Sequence, residues 1–338
     1  MPLVRVLSFH AGYSCRQSGV CCRAGWPIPV ERDEIAAIRE GVTCGRLSPR
    51  MAAEPFERTA ADPVAVLARP DGRCVFFDDG EQASCRVHAA LGHDALPLAC
   101  RQFPRVTILD PRGASVTLSH YCPTAAGMLD SETPVSIVDV AAGFRPEGEY
   151  VGLDARDGLP PLLCADMAMD WHSWWALERA SVEVLTRART PVEEAVARLR
   201  AAVESIRTWR PGPERLIDRV RAAVAESTRS NLAPDSDRLT ADLTDAIAPE
   251  LTSLLPAPPR DRVPPRPHVH RRFLAAHAYA SWTAHLGLDL GAWLRSVETA
   301  HALLTTGYSV GEADLLLRHL ADPHELARRW SQSATSRP

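Results

Sequence analysis

The chain contains no lysine: all 38 of its basic residues are arginine. An arginine close to a motif is therefore weak evidence of a binding role. No run of apolar residues approaches the length of about 18 that a membrane-spanning helix needs. Residues 1–14 carry one charge, Arg5, with neither the apolar stretch nor the cleavage pattern of a secretory leader, so the chain is expected in the cytoplasm. A formal net charge of −4, a pI near 6.3 and the lack of a basic tract leave nucleic-acid binding without electrostatic support. Also missing are a glycine-rich phosphate loop, a nucleophile elbow, an HExxH zinc motif, the fingerprint of a Rossmann-type S-adenosylmethionine site and the CxxxCxxC triad of radical enzymes. These absences set aside several common enzyme classes. No internal repeat is visible, and 338 residues with 46% hydrophobic and 6% aromatic content suit one large or two ordinary water-soluble domains.

What the chain does have is cysteine, unevenly placed. Cys15, Cys21, Cys22, Cys44, Cys74, Cys85, Cys100 and Cys122 lie in the first 122 residues, and Cys164 stands alone beyond them. Disulfides persist only where the surroundings oxidise thiols, so the cytoplasmic expectation favours reduced thiols that ligate a metal. Cys44, in the turn-like Thr43-Cys44-Gly45, and Cys164, within Leu162-Leu163-Cys164-Ala165, read as packing residues. The remaining seven are bounded by Gly, Arg, Pro or His, which suits loops wrapped round an ion. No CxxC pair is present, and the intervals match neither zinc ribbons nor ferredoxins. Thiolate ligands alone suit zinc and iron–sulfur clusters equally. Consecutive Cys21 and Cys22 project to opposite sides of an extended backbone, which leaves one of them for a second ion, for redox chemistry or for packing. Among the nearby histidines His10, His88, His93 and His120, His88 follows Cys85 by one helical turn and His120 stands two residues before Cys122; each is a candidate ligand or an ordinary imidazole.

The segments Tyr13-Ser14-Cys15 through Cys21-Cys22-Arg23-Ala24-Gly25-Trp26, then Gly72-Arg73-Cys74-Val75-Phe76-Phe77, Cys85-Arg86-Val87-His88 and Leu98-Ala99-Cys100-Arg101-Gln102-Phe103-Pro104, resemble the YkgJ-type cysteine-cluster family, a zinc- or iron-chelating group with a CxxCxxCC signature. The resemblance covers about residues 10 to 125 and implies thiolate ligation of a metal. The family's second signature cysteine is Ser18 here, which leaves one fewer thiolate. The string Ser119-His120-Tyr121-Cys122-Pro123-Thr124-Ala125 and the Cys21-to-Trp26 element are similar to the flagellin lysine N-methylase branch of that family. That branch implies an iron–sulfur cluster and methyl transfer to a protein lysine.

Beyond the cysteines the chain reads as helical. Thr190-Pro191-Val192-Glu193 has the form of a capping box ahead of the stripe Val192, Val196, Leu199, Val203 and Ile206. Leu216, Ile217, Val220 and Val224 begin another stripe, Leu239, Leu243 and Ile247 a weaker one, and Leu290, Trp293, Leu294, Val297 and Leu304 a further one. Ser309-Val310-Gly311-Glu312 repeats the capping-box form. Trp171, Trp174 and Trp175 share one helix side; they read either as core or as a platform for an adenine ring or a substrate side chain, with cation–π attraction for a lysine. The expected fold is mainly α: an irregular cysteine-cluster module with short strands at 1–130, a connecting segment at 131–164, helices at 165–255, a Pro/Arg-rich linker at 256–267 and a C-terminal helical region at 268–331.

The candidate metal ligands are Cys15, Cys21, Cys22, Cys74, Cys85, Cys100 and Cys122, for an iron–sulfur cluster, expected as 4Fe-4S, or alternatively zinc. Arg101, Trp171 and Trp175 are candidates for cofactor or substrate contact; no catalytic residue can be named. The functional expectation is a metal-binding cysteine-cluster protein that holds an iron–sulfur cluster through thiolates, with a lysine-methylase-like enzyme acting on a protein substrate as its sharpest form and enzyme activity left open; the alternative is a zinc-binding structural or partner-binding protein without catalysis. Neither nucleic acid nor membrane is expected as a partner.

Overall fold

Strand β1 (Val4–Leu7) sends alternate side chains to two destinations, as a period of two requires. Val4 and Val6 pack with Ala114 and Val116, whereas Leu7, followed by Phe9, enters the helical core. The computed structural model describes residues 4–58, 65–80, 84–140, 152–229, 254–255, 257–259, 262–322 and 326. After β1 the chain leaves its sheet for a long excursion that ends at Pro104. The excursion carries β2 (Pro29–Val30), α1 (Arg32–Thr43), β3 (Phe56–Arg58), β4 (Ala65–Leu67), β5 (Phe77–Asp78), β6 (Ser84–Cys85), α2 (Arg86–Leu91) and α3 (Leu98–Gln102). Strands β2, β4 and β3 form a small antiparallel sheet, and β5 pairs with β6. Val75, Phe76 and Phe77 fill a core of their own with Ile38, Leu67 and Val87. Glu34 ties the helices of this module together: its carboxylate accepts the Glu31 N–H at 2.9 Å and the Leu98 N–H at 2.6 Å.

The chain returns to the first sheet as β7 (Arg105–Asp110), turns through Pro111 and Arg112, and runs back as β8 (Gly113–Leu118). Helix α4 (Pro123–Met128), β9 (Ile137–Val140) and β10 (Leu153–Asp154) follow. The strand order is β10-β7-β8-β1-β9, with β8 parallel to β1 and antiparallel to β7. Ala114 to Leu118 are all buried, as befits a central strand covered on both faces. A ribbon of β11 (Leu162–Cys164) and β12 (Met167–Ala168) leads into α5 (Trp171–Thr186), α6 (Val192–Arg207) and α7 (Leu216–Arg229). Then come α8 (Pro267–Ala278), α9 (Leu290–Thr305) and α10 (Val310–Leu315), which runs on as a π-helical turn, Leu316–Leu320.

The mainly α expectation is thereby corrected to a mixed α/β fold. Its physical source is the alternation in Arg105-Val106-Thr107-Ile108-Leu109 and Ala114-Ser115-Val116-Thr117-Leu118, which satisfies its backbone groups in a ladder rather than in helices. The helical stripes of α6 and α9 are buried as their periods require, and Ser309 and Glu312 make the reciprocal cap of α10. At α6 the N-cap is Pro191, not Thr190, and no side chain caps it. The weak stripe Leu239, Leu243 and Ile247 and part of the 256–267 linker lie outside the described residues. No helix among the described residues is long and apolar enough to cross a membrane. Sheet and helices are joined by polar contacts: the Thr117 hydroxyl donates to Ala276 O at 2.9 Å and Trp282 Nε1–H to Thr107 O at 3.0 Å.

Candidate functional site

Four of the seven candidate thiols meet inside the excursion. The loop 19–24 turns through a short 3-10 segment that buries Cys22, and the Cys74 N–H donates to Cys22 O at 2.8 Å, which fixes the two strands of chain side by side. The sulfurs of Cys21, Cys74 and Cys85 are neighbours of the Cys22 thiol. Those contacts push Cys22 up and hold it as a thiol, while its hydrogen bond pulls Cys21 and Cys74 down. Cys85 is lowered to about 7, first by Cys22, against burial, and then by the N–H groups of His88 and Val87 at the start of α2. Cys100 is pushed up by burial and by the charges of Cys21, Cys74 and Cys85.

This arrangement corrects the metal-binding reading. Cys15 is exposed and accepts the Gln17 N–H, and Cys122 lies 3.6 Å from the Tyr13 hydroxyl. Among the described residues no group of three or more His, Cys, Asp or Glu side chains is disposed to hold a metal ion. The ligand set Cys15, Cys21, Cys22, Cys74, Cys85, Cys100 and Cys122 is therefore not borne out, nor is the iron–sulfur, zinc or methylase-like function built on it. Cys44 and Cys164, expected as packing residues, are exposed and half-buried respectively; Cys44 accepts from Arg46 Nε and Cys164 donates to Asp166.

The Cys85 thiolate gives a direct prediction. Alkylation of Cys85 by iodoacetamide, mapped by mass spectrometry, is expected to rise with a midpoint near pH 7. Cys22→Ala should move that midpoint up toward the ordinary thiol value of about 8.5. An unchanged midpoint would show that the helix N–H groups, not Cys22, set it.

Between the excursion and the C-terminal helices lies a cavity of about 450 Å³. Cys21, Cys22, Cys100, Trp26 and Phe103 line it from the excursion, Arg105 and Val106 from the sheet, and His277, Ser281, Trp282, Leu317, Arg318 and His319 from the C-terminal region. Gly25, at φ 81°, makes the left-handed turn that carries the chain from the paired cysteines to Trp26. The Trp26 ring stacks on His319 at 4.6 Å and meets Tyr121 and Phe103 at 5.3 and 5.4 Å. The opposite wall is shaped by two irregularities. The π-helical turn delivers Leu317, Arg318 and His319 together, a device common at functional sites. Ala280, at φ 48°, redirects the chain after α8 so that Ser281 and Trp282 reach the cavity. A smaller cavity of about 70 Å³ is lined by Cys15, Cys21, Cys22, Cys85, Cys100, Cys122 and His88, so the fold gathers six of the seven thiols around one space without arranging them as ligands.

Beneath His319 runs a buried polar network. Ser119 Oγ donates to Asp314 Oδ2 at 2.5 Å and lies 2.7 Å from His319 Nε2. Arg318 Nε lies 3.1 Å from Asp314 Oδ1, and His120 Nδ1 3.7 Å from the same oxygen. His120 Nε2 in turn meets His10 Nε2 at 3.1 Å. Burial would raise Asp314, but Arg318 and then His120 hold it well below the usual carboxylate range.

The other candidates sit elsewhere. Arg101 donates to Asp94 O and pairs with Glu34 at 3.6 Å, fastening α3 to α1. Trp171 and Trp175 stack on each other at 5.9 Å, Trp171 on His285, and the Arg112 guanidinium covers Trp175 at 4.6 Å; none of the three lines the 450 Å³ cavity, and Trp175 lines a separate depression of about 580 Å³. Sequence reasoning missed His277, Asp314, Arg318, His319 and Trp282. The four on α8, α10 and its π-turn lie in stretches that read as plain helix, and only the proximity of several polar residues in an apolar stripe would have marked them. Comparison with protein-family models, with curated proteins and with solved structures finds no match for this chain.

Proposed function

We propose that this protein binds a flat, largely apolar small molecule in the cavity between the cysteine-bearing excursion and the C-terminal helices. The observation that carries this reading is the cavity itself: about 450 Å³, walled by the rings of Trp26, Phe103, Trp282 and His319 and by the thiols of Cys21, Cys22 and Cys100. That volume falls in the usual range for small-molecule sites, and an apolar wall with a few convergent polar groups is their usual composition. Aromatic faces favour a planar ligand, because ring pairs gain about 0.5–1.5 kcal/mol beyond the area they bury. The likeness to the YkgJ-type family enters only as a proposal of shared architecture, in which the paired cysteines and the Cys100-to-Pro104 element supply one wall of the cavity.

The test is a titration with naphthalene followed by ligand-observed NMR. Saturable binding to the wild type is expected, with a loss of about tenfold or more in Trp26→Ala, where one stacking face and its buried area are gone. Binding that ignores Trp26→Ala, or no saturable binding at all, would remove the reading.

A further inference from the structure

His277 stands on α8 with its side chain against this cavity. It is 6% exposed, and neither of its ring nitrogens has a hydrogen-bond partner among the described residues. A buried imidazole with both nitrogens unpaired is unfavourable, and native structures avoid such groups unless they serve a purpose. The neighbouring polar groups are already engaged. Arg318 is paired with Asp314 and donates to Ala276 O; His319 is held by Ser119; Arg105 donates to Arg101 O and covers the Tyr13 ring.

We propose that His277 is the polar anchor of the cavity and that its ligand is an uncharged nitrogen heterocycle, held with a ring nitrogen or ring N–H against the imidazole. The inference rests on the ligand-binding reading above. Burial, and then the charge of Arg318, bring His277 down to about 3, so at neutral pH it is an uncharged ring with one N–H and one bare nitrogen. Such a ring takes either role by choice of tautomer, which suits heterocycles that present an acceptor or a donor. At this anchor an ionised ligand is disfavoured, because the Arg318 charge beside His277 is already balanced by Asp314. The flat apolar body lies against Trp26, and the single polar atom meets His277.

The experiment compares isoquinoline with naphthalene, two probes of the same shape that differ by one ring nitrogen, on the wild type, His277→Phe and His277→Gln. Comparing the ratio of their dissociation constants between variants cancels the difference in hydrophobicity of the two probes. The preference for isoquinoline is expected to fall about tenfold in His277→Phe, the equivalent of about 1.4 kcal/mol, with naphthalene binding retained. His277→Gln, which keeps a donor and an acceptor, should hold the preference, and thermal unfolding of both variants checks that they fold. A ratio unchanged in His277→Phe while naphthalene still binds overturns the anchor and leaves the cavity reading standing. If neither probe binds the wild type, both fall together.

Discussion

Between pH 7.5 and pH 5 the protein is expected to lose on the order of 6 kcal/mol of stability. Seven histidines, His10, His120, His270, His277, His285, His301 and His319, are held below the ordinary imidazole value, burial being the first cause in each. For His270 and His277 the folded value is about 3, and for His285 about 4. In the unfolded chain each returns to about 6.5. The unfolded state therefore takes up protons that the folded state refuses. Stability is complete above pH 6.5 and is lost as pH falls toward the folded values. At pH 5 each of these three contributes a loss of about 2 kcal/mol, at about 1.36 kcal/mol per pH unit. Glu178 and Glu298, raised by burial, act in the opposite sense but are two against seven. Since the net stability of a domain is about 5–15 kcal/mol, a loss of that size removes a large part of it. Urea denaturation at pH 7.5, 6 and 5, followed by tryptophan fluorescence, checks this; a level stability across that range would refute the histidine account.

Asp314→Ala is expected to cost about 3–5 kcal/mol, the usual penalty for stranding one partner of a buried ion pair. The carboxylate is fully buried, and removing it leaves the Arg318 charge, itself 10% exposed at the side chain, without compensation. It also strips Ser119 of its 2.5 Å acceptor and His120 of its neighbour. Asp314→Asn keeps an acceptor for Ser119 but not the charge, so most of the loss should remain. The double variant Asp314→Leu with Arg318→Met should recover much of it, because apolar replacement of a whole buried pair is often neutral. Equilibrium unfolding of the three variants at pH 7.5 decides the matter. If the double variant is as unstable as Asp314→Ala, the penalty lies in lost packing and not in the stranded charge. Because Asp314 is held far below the usual range, its own titration adds nothing between pH 7.5 and 5 and emerges only in stronger acid.

The two effects spring from one property of the fold: it buries polar side chains where the helices close over the sheet. That property was not visible in composition. Histidines at 10, 120, 277 and 319 are far apart in sequence, and a histidine on an apolar helix face has no local mark that tells a buried ring from a half-exposed one. The cysteines show the same limit from the other side. Their concentration drew attention to the right region, and six of the candidates do line one small cavity. The grouping of Cys22 with Cys21, Cys74 and Cys85 depends on backbone pairing across some fifty residues of chain, such as Cys74 N–H to Cys22 O.

By itself the sequence determined the helices, because burial of a stripe at i, i+3, i+4 and i+7 is a local consequence of 3.6 residues per turn, as at Val196, Leu199 and Val203. It also determined the cap at Ser309 and Glu312, where the side chain and the N–H it binds are three residues apart. The strands were equally present as alternation in 105–109 and 114–118, but short apolar runs do not announce their partners. Only the tertiary structure decided that β8 pairs with β1 across more than a hundred residues, and that Trp26 stacks on His319 from the far end of the chain. The physical reason is range. Turn, cap and helix preferences act within a few residues, whereas a cavity is bounded by side chains that meet only after the sheet and the helices have packed.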